Sequence, residues 1–255
     1  MSAIMQIAMP FTILFEEPKP VLEINQKVTQ LLFGEAFEIT EQEGPFVKGI
    51  CKTDDYKGWI HQDSLTPQTW LPTHFVDALW APVFPKAGHK NWAMVSLPFM
   101  SRIEIEEEKN DGDYAFIPAL RGYVHKSHIK PLTDLNKEQD YVDTALRFLQ
   151  ATYQFGGRTY AGLDCSGLIQ LALLRSGYKC PRDSGDQEKA LGKEINDAPQ
   201  RGDLVFLEGH VGIMINETNI LNATARSMLV QIEPFNDFIK AYQDQGLEIT
   251  SIKRI

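Results

Sequence analysis

Two stretches 64 residues apart carry the same pattern, Gly58-Trp59-Ile60-His61 and Gly122-Tyr123-Val124-His125, and each runs on to a proline, Pro67 and Pro131. A second match precedes them: the segment holding Phe33 and Ile39 falls over the one holding Phe99 and Ile105, a shift of 66 residues. From residue 1 to about 133, turn residues break every apolar run before it reaches helix length, so this half reads as short strands. A repeat of about 60 residues made of short strands points to two copies of a small barrel, not to one large sandwich.

The Gly-Trp-Ile and Gly-Tyr-Val segments resemble the closing strands of bacterial SH3-like barrels. The expected organisation is a barrel over residues 1–67, a second over 68–133 and a further domain over 134–255. His61, His74, His89, His125 and His128 are scattered over loops and strand ends with no His-x-x-x-His spacing and no matching carboxylate. They read as surface or hydrogen-bonded histidines, and neither a metal nor a cofactor is expected. The acidic run Glu104, Glu106, Glu107 and Glu108 reads as a solvated strand edge that discourages pairing between edges.

A formal net charge of −9 with no basic stripe argues against a nucleic-acid partner. No window reaches the roughly 18 to 20 apolar residues of a membrane span. The apolar opening, residues 1–11, has no Lys or Arg before Lys19 and no small-residue cleavage pattern, so it reads as a first strand or arm instead of a signal peptide. Cys51, Cys165 and Cys180 cannot all pair and show neither C-x-x-C nor metal-ligand spacing, which fits a reduced, cytoplasmic protein.

Helical spacing begins in the second half. Residues 133–140 are polar and supply N-cap chemistry, and Tyr141, Val142, Ala145, Leu146, Phe148 and Leu149 follow at helix periodicity. A glycine-bearing loop, Gly156-Gly157, then leads to Asp164-Cys165-Ser166-Gly167 and an apolar run that ends near Gly177, which places Cys165 at a helix N-terminus. Unpaired N–H groups there are expected to lower the cysteine pKa and to hold an oxyanion. A short helical piece is expected around residues 187–191. Leu204 to Leu207 reads as a buried strand, His210 opens another, and Asn222 lies on the strand after that. A helix-borne Cys, a strand-borne His and a polar group on the next strand are the parts of a cysteine-peptidase triad.

Taken in order, Tyr153-x-Phe155-Gly156-Gly157, Asp164-Cys165-Ser166-Gly167-Leu168, Pro181-Arg182-Asp183-Ser184-x-x-Gln187, Gly202-Asp203-Leu204-Val205-Phe206 and His210-Val211-Gly212-Ile213 resemble the motif set of the NlpC-type cell-wall cysteine peptidases. The resemblance implies a papain-like α+β domain that cleaves the γ-D-glutamyl to diamino-acid bond of peptidoglycan stem peptides. It assigns Cys165 as nucleophile, His210 as base, Asn222 as third member where relatives commonly carry His, and Tyr153 with the Cys165 N–H at the oxyanion. Barrels ahead of such a domain resemble murein-recycling enzymes, which act on free peptides with an unblocked N-terminal L-Ala. That implies substrate contacts from Asp164, Ser166, Asp183 and Ser184, with Tyr56 contributed by a barrel. Two other readings stay open: a binding protein with a non-hydrolytic domain, and an amidase or acyltransferase on the same scaffold. Whether diaminopimelate or lysine follows the scissile bond, whether intact sacculus is a substrate, and the oligomeric state are not legible.

Overall fold

Both copies of the repeated pattern fold alike. Lys57–His61 and Gly122–His125 are strands, each followed by a 3-10 turn, Gln62–Ser64 or Lys126–His128, and a short strand, Leu65–Thr66 or Ile129–Pro131. His61 and His125 share φ −68° and ψ 133°. In each, Nδ1 accepts a hydrogen bond from the backbone N–H two residues on, Asp63 at 3.3 Å and Ser127 at 3.2 Å. These histidines cap turns. The repeat extends to the corner after Phe33 and Phe99, where Gly34 (φ 79°) and Met100 (φ 68°) both adopt the left-handed region. At residue 34 glycine is required for a second reason: a Cβ there would lie 1.9 Å from the Arg102 carbonyl oxygen.

The computed structural model describes residues 3–18 and 27–255, so Met1 and Ser2 of the expected first strand, and Lys19, lie outside the described residues. The chain divides into residues 1–134 and 135–255. In the first unit, Ala3–Ile7 opens a seven-stranded sheet that closes with Leu65–Thr66 around Ile7, Leu14, Leu31, Phe37, Val47, Cys51 and Ile60. A four-stranded sheet and a three-stranded sheet follow and share a separate core that includes Val76, Val83, Leu97, Ile103, Ile117 and Val124. The alternation of buried and half-buried residues in Phe46–Cys51 and Tyr114–Ile117 is the period-2 pattern of strands with one face on a core.

The second unit sets helices against an antiparallel six-stranded sheet in the order Lys193–Glu194, Ile249–Arg254, Leu204–Leu207, His210–Met214, Asn219–Thr224, Leu229–Pro234. Helix α1 (Tyr141–Leu146) is capped by Asp140, whose Oδ1 accepts from the Val142 N–H at 2.7 Å. It stops at Leu146, one turn before the expected end, because the chain turns through Gln150 at φ 68°; Leu149 is exposed, not core. Helix α2 (Cys165–Arg175) is buried on nearly every side, as its all-round apolar composition requires, and packs on the His210–Met214 and Asn219–Thr224 strands. Helix α3 (Ser184–Ala190) starts three residues before the expected helical piece. Helix α4 (Phe235–Gln243) places Phe235, Phe238, Ile239 and Tyr242 at i, i+3, i+4 and i+7, and this stripe packs on Val205, Leu207, Met214 and Ile220. Full burial of a phenylalanine such as Phe238 stabilises by roughly 1.5–3 kcal/mol and fixes where α4 lies. Among the described residues no helix is long and apolar enough to cross a membrane.

Candidate active site

The start of α2 is held by its own sequence neighbours and by one distant arginine. Asp164 is the N-cap: its Oδ1 accepts from the Gly167 N–H at 2.7 Å, and its Oδ2 accepts from the Gly156 N–H at 2.7 Å and from Arg182 Nη2 at 2.7 Å. One carboxylate therefore caps the helix and pins the glycine loop. Gly157 must be glycine, since a Cβ there would fall 2.2 Å from the Gly162 carbonyl oxygen. Arg182, itself buried, also donates to Ser166 Oγ at 2.7 Å and to the Gly157 carbonyl at 3.3 Å. Gln187 Nε2 donates to the Ser166 and Pro181 carbonyls, each at 2.9 Å.

Cys165 is the first residue of α2 and is buried. Its Sγ lies 4.0 Å from the Gly209 carbonyl oxygen and receives the Val211 N–H, so it rests against the two residues that flank His210. The expected lowering of the thiol pKa does not occur. Burial, followed by the nearby Asp164 carboxylate, pushes it up to about 12, against the smaller opposing effects of the Val211 N–H, Arg182 and the Ser166 N–H. Position at a helix start is legible in sequence; loss of water from the sulfur is not, and here it dominates.

His210 opens its strand and is buried. Its ring stacks on Tyr242 at 4.7 Å between centroids and 29° between planes, and Nε2 lies 2.9 Å from the Tyr242 hydroxyl. Burial pushes His210 down to about 4; Asn222, Glu233 and Asp164 oppose that shift and Arg226 adds to it. Burial thus works against the charged form of both groups.

Asn222 is fully buried on the adjacent strand, and its Nδ2 donates to Glu233 Oε1 at 2.8 Å. Its Oδ1 acts on the imidazole without reaching a partner at full hydrogen-bond geometry. Arg226 and Gln231 converge on the same Glu233 oxygen. Tyr153 is half-buried; its backbone N–H donates to the Met228 carbonyl at 2.8 Å, and it bridges Leu163, two residues before the cysteine. Burial first, then Cys165 and Asp164, push its hydroxyl up to about 12.

The remaining expected residues fall differently. The polar atoms of Asp164 and Ser166 are engaged inside the α2 start. Asp183 stands exposed at the N-cap position of α3 with no capping bond from its side chain, and Ser184 follows it, half-buried. Tyr56 lies in the first unit, half-buried on its first core, with its N–H donating to Asp54 Oδ1 at 3.2 Å. Tyr242, Arg226, Glu233 and the structural role of Arg182 and Gln187 were not expected; the α4 stripe signals a buried face for Tyr242 but says nothing of its hydroxyl.

Residues 150–248 match the NlpC/P60 family, and residues 25–65 match the bacterial dipeptidyl-peptidase SH3 domain. The gamma-D-glutamyl-L-lysine dipeptidyl-peptidase of Bacillus subtilis is 27% identical over 226 residues, which cover 80% of this chain and 74% of that protein. Dipeptidyl-peptidase 6 of Lysinibacillus sphaericus is 26% identical over 263 residues, 94% of each chain. Among solved structures, an NlpC/P60 family protein of Bacillus cereus shares the fold, with a TM-score of 0.80 over 98% of this chain and 99% of that one, at 20% identity.

Proposed function

We propose that this chain, which carries an NlpC/P60 domain and, ahead of it, a bacterial dipeptidyl-peptidase SH3 domain, is a cysteine endopeptidase that hydrolyses the γ-D-glutamyl to diamino-acid bond of peptidoglycan-derived peptides. The observation that carries the reading is the seat of Cys165 Sγ at a capped helix start, against the residues on either side of His210. In the same proposal the second β unit of residues 68–133 is a further SH3-like barrel, and the substrates are free peptides recycled in the cytoplasm.

With burial working against both charged forms, His210 takes the thiol proton as Sγ attacks the γ-glutamyl carbonyl. The Cys165 N–H and the Tyr153 hydroxyl face the oxyanion. The imidazolium then returns its proton to the leaving nitrogen, the amine departs, and a thioester remains. Water gives its proton to His210 as it attacks that thioester, and the thiol is regenerated. Asn222 supports the imidazole. Asp183 and Ser184, with Asp164 and Ser166 beside the nucleophile, are assigned to selecting the free N-terminus.

The test is mass spectrometry of L-Ala-γ-D-Glu-meso-diaminopimelate and of its N-acetylated form, each incubated with the wild type and with Cys165→Ala. Cleavage of the free-amine peptide alone, abolished in the variant, is expected. Equal cleavage of both peptides would remove the N-terminal selection, and cleavage of neither would replace the peptidase with a binding module.

A further inference from the structure

The hydrogen-bond partner of His210 comes from an unexpected element. Nε2 meets the Tyr242 hydroxyl at 2.9 Å, and that hydroxyl also lies 3.2 Å from Thr224 Oγ1. Asn222, on the strand where a third triad member was expected, has its Nδ2 committed to Glu233, and its Oδ1 finds no partner at full geometry. Resting on the peptidase reading, we propose that Tyr242 is the positioning residue that holds His210 in its base-competent tautomer, with Asn222 in a lesser supporting role.

A neutral imidazole has one N–H and one lone pair. Nε2 is occupied by Tyr242, so Nδ1 is the nitrogen left for the thiol, and it must keep its lone pair to act as base. The proton then sits on Nε2 and is donated to the Tyr242 oxygen. Tyr242 in turn donates to Thr224 Oγ1, which also accepts the Arg226 N–H at 3.2 Å. The opposite polarity, with Thr224 donating to Tyr242 and Tyr242 to Nε2, would move the imidazole proton to Nδ1 and leave nothing to receive the thiol proton.

The rest of the surroundings fix the tyrosine in place. Its ring stacks on His210 and packs against Phe238 at 4.9 Å, and the Arg226 guanidinium lies over it at 4.8 Å from the centroid. Arg226 is held by Glu233, the carboxylate that also takes the Asn222 amide. The groups that face or act on the imidazole are thus Tyr242 and Phe238 from α4, Asn222 from the adjacent strand, Arg226 and Glu233 beyond it, and Asp164 from the start of α2. A tyrosine hydroxyl held by a hydroxyl on one side and ring packing on both faces has little freedom to leave the imidazole.

Tyr242→Phe removes the hydroxyl and keeps the stacked ring. Its expected effect is a fall in kcat of about 10- to 100-fold with KM unchanged, less than the roughly 10²- to 10⁴-fold worth of the acid–base group itself, because the imidazole remains. The second readout is the rate at which iodoacetamide alkylates Cys165, located by mass spectrometry of the labelled peptide. It should fall in Tyr242→Phe at neutral pH, because the thiol loses an oriented base. Thr224→Val, which retains Tyr242 and nearly the same volume, should move both quantities in the same direction by less. Wild-type kcat and alkylation rate in Tyr242→Phe, with both lost in Asn222→Ala, would overturn the assignment in favour of Asn222. Faster alkylation in Tyr242→Phe would overturn it too, since it would mean the hydroxyl had been blocking Nε2 as a donor. Alkylation needs no peptide substrate, so a wild type that cleaves nothing would end the peptidase reading while the alkylation rates still decide the role of Tyr242.

Discussion

His61 and His125 in the first unit and His210 in the second are the same residue in opposite situations. The first two are half-buried, and each gives Nδ1 to a backbone N–H two residues along the chain. Their partners are local and their job is finished when the turn is made. His210 is buried, and the Tyr242 hydroxyl at its Nε2 comes from 32 residues away. A histidine satisfied by its own turn is part of the scaffold, whereas the role proposed for His210 needs a ring that is oriented from a distance.

The contrast is broken most directly by alanine at each position. His210→Ala should lower kcat/KM by about 10³-fold or more, since base, acid and orientation are lost together. Peptide hydrolysis rates measured beside His61→Ala and His125→Ala, both expected at wild-type level, would erase the distinction if all three fell alike.

A smaller effect concerns stability against pH. His210 has its pKa lowered from 6.5 to about 4 in the fold, so between those values the unfolded chain binds a proton that the folded chain refuses. Stability from this group is complete above pH 6.5 and is lost as pH falls through 4, by roughly 3 kcal/mol in total. Urea midpoints taken from pH 7 to pH 4 should fall more steeply in the wild type than in His210→Gln, and parallel curves would show that burial of this ring carries no such linkage.

Smallest is the cost of the turn caps. His61→Ala and His125→Ala should each lower stability by about 0.5–1 kcal/mol, the range of a lost side-chain cap. Thermal midpoints measure this, and a loss of several kcal/mol would mean the histidines do more than close their turns.

What was legible follows from the range of each interaction. The paired Gly-aromatic-aliphatic-His pattern announced two similar β segments because the same local turn is made twice, down to the left-handed corner at Gly34 and Met100. Cys165 at a helix start, His210 at a strand head and Asn222 on the next strand were readable from periodicity alone. Tyr242 was not, because its spacing with Phe235 and Phe238 spells only an apolar face, and nothing local says that its oxygen meets an imidazole. The sign of the Cys165 shift was lost for a related reason: burial is decided by elements that pack over the sulfur from elsewhere.

Arg182 links segments that the chain keeps far apart. Through Asp164, Ser166 and the Gly157 carbonyl it ties the loop before α2 to the loop before α3, and Gln187 adds the Ser166 and Pro181 carbonyls to the same knot. Opening either loop strands a buried guanidinium or a buried carboxylate, so neither can loosen alone. The loop that seats Cys165 and the loop before α3 are therefore expected to open together, as one cooperative block.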